Sequence, residues 1–211
     1  MKTILFLLAL TGLCHAQESD ERFVLIPWAK APKEVPLFFS ATAEVNAKVG
    51  LESVTSEQVI RFHVHQGKAE TLTLALSGAG EVTEVTGAGL RDWSVRVAEN
   101  GARFLDVRPV EAKGNFPADL EVLVKTRVKV EKESASLLLP GPGKATGYFV
   151  AVGLTEDAGV DLKVRQADGL APVKGEENRR FVGSGTAAVT LGIRPAGTGA
   201  RGLEVADAVL T

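Results

Sequence analysis

Residues 39–49 read FSATAEVNAKV, and this stretch decides the fold class. Every second residue from Phe39 to Val49 is apolar, and the residues between them are polar or charged. A period of two is typical of a β-strand with one buried and one wet face, because successive side chains point to opposite faces. The stretch therefore predicts a long strand that covers a hydrophobic core.

The same alternation recurs along the chain, and joints rich in glycine and proline separate the runs. The runs lie at residues 60–64, 72–76, 93–97, 120–130, 160–164, 187–193 and 203–209. No comparable stretch has helical periodicity, and no cysteine framework is present. The sequence predicts an all-β fold of one or more antiparallel β-sandwiches that follow an N-terminal signal helix.

Three regions are expected along the chain. Residues 1–16 form a signal peptide, residues 17–139 a β-sandwich region, and residues 140–211 a second β-rich region. The second region begins at the Pro-Gly-Pro-Gly joint of residues 140–143, and it is either a separate sandwich or the sheet that closes the first. Because the chain ends inside a strand-like pattern, we expect more chain beyond residue 211.

The segment MKTILFLLALTGLCHA, residues 1–16, has the three parts of an export signal. Lys2 supplies the positive start, Ile4 to Leu13 form the apolar centre, and Ala16 ends a small-residue cleavage site. The apolar run is about half of the roughly 20 residues that a membrane-spanning helix needs. A lipoprotein signal acylated at Cys14 is the other alternative. We predict a periplasmic or extracellular protein whose mature part does not insert into a membrane.

Composition narrows the compartment and the partners. Cys14 is the only cysteine, so the mature chain has no disulfide, and a bacterial envelope is the simplest host. The 24 basic and 26 acidic residues alternate in sign, which argues against binding to nucleic acid. We expect partners among the proteins or glycans of the cell envelope, and we predict no cofactor.

His63 and His65 have the one metal-like spacing in the sequence. Residues two apart on a strand share a face, so the two imidazoles could bind one zinc or copper ion. Both fall on the polar side of their strand, opposite Ile60, Phe62 and Val64. The competing interpretation is therefore a solvated strand face, and no third ligand can be located.

Other chemistry has weaker signals. No Gly-x-Ser-x-Gly elbow occurs, and a Ser-His-Asp triad would have to use His63 or His65. We predict that the segment is not an enzyme.

Trp28 is the candidate for ligand binding, because an exposed indole ring can stack on a sugar. Trp93 shares a face with Val95 and Val97 and is predicted to belong to the core.

A β-hairpin is predicted around Asn100-Gly101. A three-residue loop, Glu99 to Gly101, with Gly101 in the left-handed position of a type I turn, joins its strands. The expected register places Val97 opposite Leu105 and Arg96 opposite Asp106.

One sequence pattern carries a family resemblance. Its motifs are Val59-Ile60-Arg61-Phe62, Gln66-Gly67, Leu72-x-Leu74-x-Leu76, Gly89-Leu90-Arg91-Asp92-Trp93-x-Val95 and Leu170-Ala171-Pro172-Val173. They resemble the N-terminal β-rich region of large uncharacterised bacterial cell-envelope or secreted proteins. The resemblance implies a signal peptide, repeated β-sandwich modules and further chain, and it supplies no catalytic residues.

Three functions follow as hypotheses. The first is an exported non-catalytic module that serves as a scaffold or interaction region of an envelope or surface protein. The second is a carbohydrate-binding module that uses Trp28. The third is a secreted hydrolase or metal-binding protein that uses His63 and His65.

Overall fold

The computed structural model describes residues 35–176 and 179–197, and the fold below is that of these residues. They contain fourteen β-strands and no helix. In chain order the strands are β1 (Phe38–Val49), β2 (Ser53–Gln66), β3 (Leu72–Ser77), β4 (Glu81–Thr86), β5 (Leu90–Val97), β6 (Arg103–Pro109), β7 (Asp119–Lys129), β8 (Ser134–Ser136), β9 (Leu139–Gly141), β10 (Gly147–Glu156), β11 (Val160–Asp168), β12 (Ala171–Pro172), β13 (Arg180–Gly183) and β14 (Ala188–Pro195).

The all-β prediction is confirmed. The signal segment and Trp28 lie outside the described residues. No helix within the described ranges could span a membrane.

The strands form three sheets. A seven-stranded sheet has the order β12-β13-β10-β1-β2-β7-β4, a four-stranded sheet the order β5-β6-β3-β9, and a three-stranded sheet the order β11-β14-β8. Neighbouring strands are antiparallel apart from β1 and β10, which run parallel with Ala43 opposite Val150. Strands from both sides of the joint at residues 140–143 thus share the largest sheet.

All three sheets contribute to one hydrophobic cluster. On β1 the apolar positions from Phe39 to Val49 are at most 2% exposed, as the alternation predicts. Leu74 of the four-stranded sheet and Leu191 of the three-stranded sheet are fully buried in the same cluster. Burial of apolar surface is the main force that stabilises such a packing of layers.

The hairpin of β5 and β6 has the predicted turn and a different register. Gly101 adopts a φ of 81°, and its N–H donates to the carbonyl oxygen of Ala98 at 2.9 Å. Val97 pairs with Arg103 rather than Leu105, which is a slip of two residues. The predicted register is wrong because a loop of residues 99–101 closes at Ala98 and Ala102 and so places Val97 opposite Arg103. A slip of two keeps every side chain on its own face, so the alternation fits both registers.

The second face of the seven-stranded sheet is polar and exposed along β1, β2 and β7. On β2, the residues that alternate with buried Ile60 and Phe62 include Arg61 and His63, and both are exposed. This face positions the candidate site.

Candidate functional site

His63 and His65 lie side by side on the exposed face, near the end of β2. Their ring centroids are 4.7 Å apart, and the rings meet edge to face. Both side chains are exposed, as the strand alternation predicts. The strand geometry alone produces this pair, because residues two apart project from the same side of the sheet.

Asp119 fixes the orientation of the first ring. It begins β7 and lies directly opposite His63 in the register of β2 and β7. The Nδ1 atom of His63 is 2.6 Å from a carboxylate oxygen of Asp119. An ionised carboxylate can only accept a hydrogen bond, so Nδ1 donates and Nε2 carries the lone pair of the neutral ring.

Ser40 contacts the second ring from β1. The hydroxyl of Ser40 is 3.0 Å from Nε2 of His65, and the two strands have a register irregularity at Phe38 and Phe39. When Nε2 of His65 donates to this hydroxyl oxygen, the lone pair of the ring lies on Nδ1. Each imidazole thus has one nitrogen held by a neighbour and one nitrogen available to a ligand.

Charged side chains of both signs lie around the imidazole pair. Arg61 precedes His63 on the same face and makes two ion pairs, with Glu121 at 2.7 Å and with Glu44 at 2.9 Å. Hydrogen bonds to Glu44 and Glu121 raise the pKa of Arg61 above its usual value. The carboxylates of Glu44 and Glu121 are thus paired with Arg61, and Asp119 is the carboxylate that contacts an imidazole. Lys68 lines the hollow next to His65 and adds a positive charge there.

A metal ion would meet two imidazole ligands here. No group of three or more His, Cys, Asp or Glu side chains with metal-binding geometry occurs in the described ranges. Asp119 has the outer position that carboxylates often take behind a metal-binding histidine. Two imidazoles that bind one zinc ion through bonds of about 2.0–2.1 Å must have their rings close together, as these rings are. A hollow of about 250 Å³ next to His65 gives small ligands access.

The same residues do not form a catalytic triad. Ser40 contacts His65, whereas Asp119 contacts His63, so the acid and the hydroxyl are on different rings. Ser40 is also in register with strands on both sides, β2 and β10. Backbone N–H groups of an inner strand point along the sheet, which leaves none to stabilise an oxyanion on the exposed face.

Of the two tryptophans, only Trp93 lies among the described residues. Trp28, the one candidate residue of the carbohydrate-binding hypothesis, lies outside the described residues, so the structure does not test that hypothesis. Trp93 is half-buried and packs against the core, as expected. Sequence reasoning missed Ser40 and Asp119, because their contacts depend on the pairing of β2 with β1 and β7.

Similarity to known proteins is found in structure and not in sequence. The sequence matches no protein-family model and no curated protein. Among solved structures, the chain is similar to yeast LTA4 hydrolase in complex with bestatin, with 12% identity over 73% of this chain and 28% of that chain and a TM-score of 0.47. Native leukotriene A4 hydrolase from Saccharomyces cerevisiae has 10% identity, with coverages of 76% and 29% and a TM-score of 0.44.

An M1 zinc metallopeptidase from Deinococcus radiodurans is also similar, with 10% identity over 75% of this chain and 42% of that chain and a TM-score of 0.37. The chain thus spans less than half the length of each of these proteins.

These findings correct the hypothesis of an exported non-catalytic scaffold or interaction module. The similar structures are described as a hydrolase and a zinc metallopeptidase, which does not agree with that hypothesis. A fold does not define a function, and the lack of a known catalytic motif in an all-β chain is no sign of a scaffold.

Proposed function

We propose that this chain binds a divalent transition-metal ion, such as Zn²⁺ or Cu²⁺, through His63 and His65. The observation that carries the proposal is the pair of exposed imidazoles with ring centroids 4.7 Å apart, each held at one nitrogen by a neighbour. Imidazole suits zinc and copper among the biological metals. The ion uses Nε2 of His63 and Nδ1 of His65, and water completes its coordination.

Asp119 and Ser40 support the ligands without touching the metal. A carboxylate that accepts the Nδ1 proton of His63 selects the tautomer with a free Nε2 and makes that nitrogen a better donor. Removal of such an outer partner typically lowers metal affinity about 10- to 100-fold. The chain therefore needs Asp119 for tight binding although it contributes no metal ligand.

Calorimetric titration of the untagged full chain with ZnCl₂ tests the proposal. We expect one site per chain in the wild type, and little heat after the double substitution His63→Gln and His65→Gln. Each single substitution should weaken zinc binding, because a single remaining imidazole cannot chelate the ion. The expected loss for Asp119→Asn is about 10-fold or more.

Glu57→Gln is the matched control for Asp119→Asn. Glu57 is an exposed carboxylate on the same face of β2, six residues before His63. Its substitution removes one negative charge from the face and should leave zinc affinity nearly unchanged. Equal zinc binding by the wild type and the double histidine variant would contradict the proposal.

A further inference from the structure

The outer edge of β5 is a second surface to which no strand of the described residues pairs. This strand is the end strand of the four-stranded sheet, and only β6 pairs with it among the described residues. Val95 is 38% exposed and Val97 is 64% exposed, which is unusual for apolar residues that share a face with half-buried Trp93. Natural proteins protect such an edge with charged side chains, proline, a β-bulge or a covering segment, and on β5 the bulge lies at its beginning, between Leu90 and Asp92.

The backbone groups that this edge presents follow from the hairpin. The N–H of Ala98 donates to the carbonyl oxygen of Ala102 at 2.8 Å, so the backbone groups of Ala98 point toward β6. Hydrogen-bonded and non-hydrogen-bonded pairs alternate in an antiparallel ladder. Ser94 and Arg96 thus bond to β6, while the N–H and C=O groups of Trp93, Val95 and Val97 point outward.

Charges on the other face of β5 alternate in a way that complements a second β5. Asp92 accepts a hydrogen bond from Arg108 at 2.6 Å, and Arg96 lies 3.2 Å from Asp106 and 4.7 Å from the ring centre of Phe104. Both side chains are exposed, so each can also meet a charge of the second copy. If two copies of β5 pair antiparallel about Ser94, Arg96 of each copy faces Asp92 of the other. Trp93 then faces Val95 across the junction, so that opposite charges meet on one face and apolar side chains on the other.

We propose that two copies of this chain associate through β5, in antiparallel register with Ser94 opposite its counterpart in the second copy. The two four-stranded sheets then form one continuous sheet across a twofold axis. Trp93 and Val95 exchange backbone hydrogen bonds across the junction, because their outward groups meet in this register. The register irregularity between Leu90 and Asp92 of each copy ends the pairing at both ends of the junction, as the twofold axis requires.

A single cysteine tests the register. In this arrangement the two copies of Ser94 form a non-hydrogen-bonded pair, whose Cβ atoms are about 4.5–5.5 Å apart and within reach of a disulfide after slight adjustment. Ser94→Cys in a Cys14→Ser background should give a covalent dimer with oxidised glutathione. Val95→Cys in the same background should cross-link poorly. A monomeric Ser94→Cys protein, or equal cross-linking of both variants, would overturn the proposal.

Sedimentation equilibrium of the full chain tests the association without cysteines. We expect a concentration-dependent dimer in the wild type and a monomer for Val97→Lys, because this register places the new lysine next to Arg91 of the second copy and like charges repel. Phe149→Lys is the matched control, because Phe149 is a 45% exposed apolar residue on a different sheet. A wild type that stays monomeric at all concentrations, or a Val97→Lys protein that still forms dimers, would refute the association.

Discussion

At the scale of a residue, the buried carboxylate of Asp106 depends on hydrogen bonds from its neighbours. Asp106 is 7% exposed, accepts a hydrogen bond from the hydroxyl of Thr73 at 2.7 Å, and lies 3.2 Å from Nε of Arg96. A buried charge is tolerated only when hydrogen bonds replace its lost water. Thr73 and Arg96 provide these bonds, and Thr73 is itself 3% exposed.

Thr73→Val should therefore destabilise the protein by about 1–3 kcal/mol, since the carboxylate loses a donor that water cannot replace. Thr83→Val is the matched control. The hydroxyl of Thr83 donates to the carbonyl oxygen of Lys125 at 3.1 Å on an exposed strand, so the expected change is within about 0.5 kcal/mol. Urea denaturation measures both, and equal midpoints for the two variants would refute the argument.

A second prediction at the scale of a residue concerns the stability of variants at Gly101. A Cβ atom at this position would meet no atom within 4 Å, so substitution acts on the backbone alone. Gly101→Val should cost about 1–2 kcal/mol, because a β-branched residue is strained at positive φ. Gly101→Asn should cost clearly less, since asparagine tolerates this conformation. Chemical denaturation would contradict the assignment if both variants unfolded at the wild-type midpoint.

At the scale of an element, the end of β10 is tied to the segment before β13 by an ion pair. Both terminal guanidinium nitrogens of Arg179, Nη1 and Nη2, donate to the carboxylate of Glu156. These hydrogen bonds lower the pKa of Glu156 below its ordinary value of about 4.5. A carboxyl group whose pKa is lowered by folding stabilises the fold at pH values above its pKa in the unfolded chain. This stabilisation is lost as the pH falls through its pKa in the folded protein.

The stability of the wild type should thus decline below about pH 4.5, and Glu156→Gln should make that decline shallower. Thermal unfolding between neutral and acidic pH measures the difference. Glu70→Gln, at an exposed carboxylate between β2 and β3, is the control and should keep the wild-type slope. An identical pH profile for the wild type and Glu156→Gln would contradict a role for the ion pair.

Some elements were predictable from the sequence and others were not. The alternation of residues 39–49 identifies β1 and its buried face, because side-chain direction is a local property of a strand. The partner of a strand is not local, so the parallel pairing of β1 with β10 had no sequence signal. For the same reason the imidazole pair could be predicted from spacing, whereas Asp119, 56 residues away from His63, could not.

At the scale of the whole molecule, one core connects all three sheets. Leu74 of β3 and Leu191 of β14 lie on opposite sides of the joint at residues 140–143, and both are 0% exposed within the same cluster. We therefore expect residues 35–197 to unfold as one cooperative unit. Leu74→Ala and Leu191→Ala should each cost about 2–5 kcal/mol.

Circular dichroism and tryptophan fluorescence should report the same midpoint for each of these two variants, since strand content and the surroundings of Trp93 are lost together. Exposed Val35 is a control position, where Val35→Ala should change stability by less than about 0.5 kcal/mol. Two separate transitions in Leu191→Ala would show that the later strands form an independent unit.

We propose that His63 and His65 bind a metal ion on the exposed face of the largest sheet. A crystal of the full chain grown with Zn²⁺, measured on both sides of the zinc absorption edge, tests it most directly. We expect an anomalous peak about 2.0–2.1 Å from Nε2 of His63 and from Nδ1 of His65, with Asp119 still hydrogen-bonded to His63. A peak elsewhere on the chain, or no peak beside the two imidazoles, would contradict it.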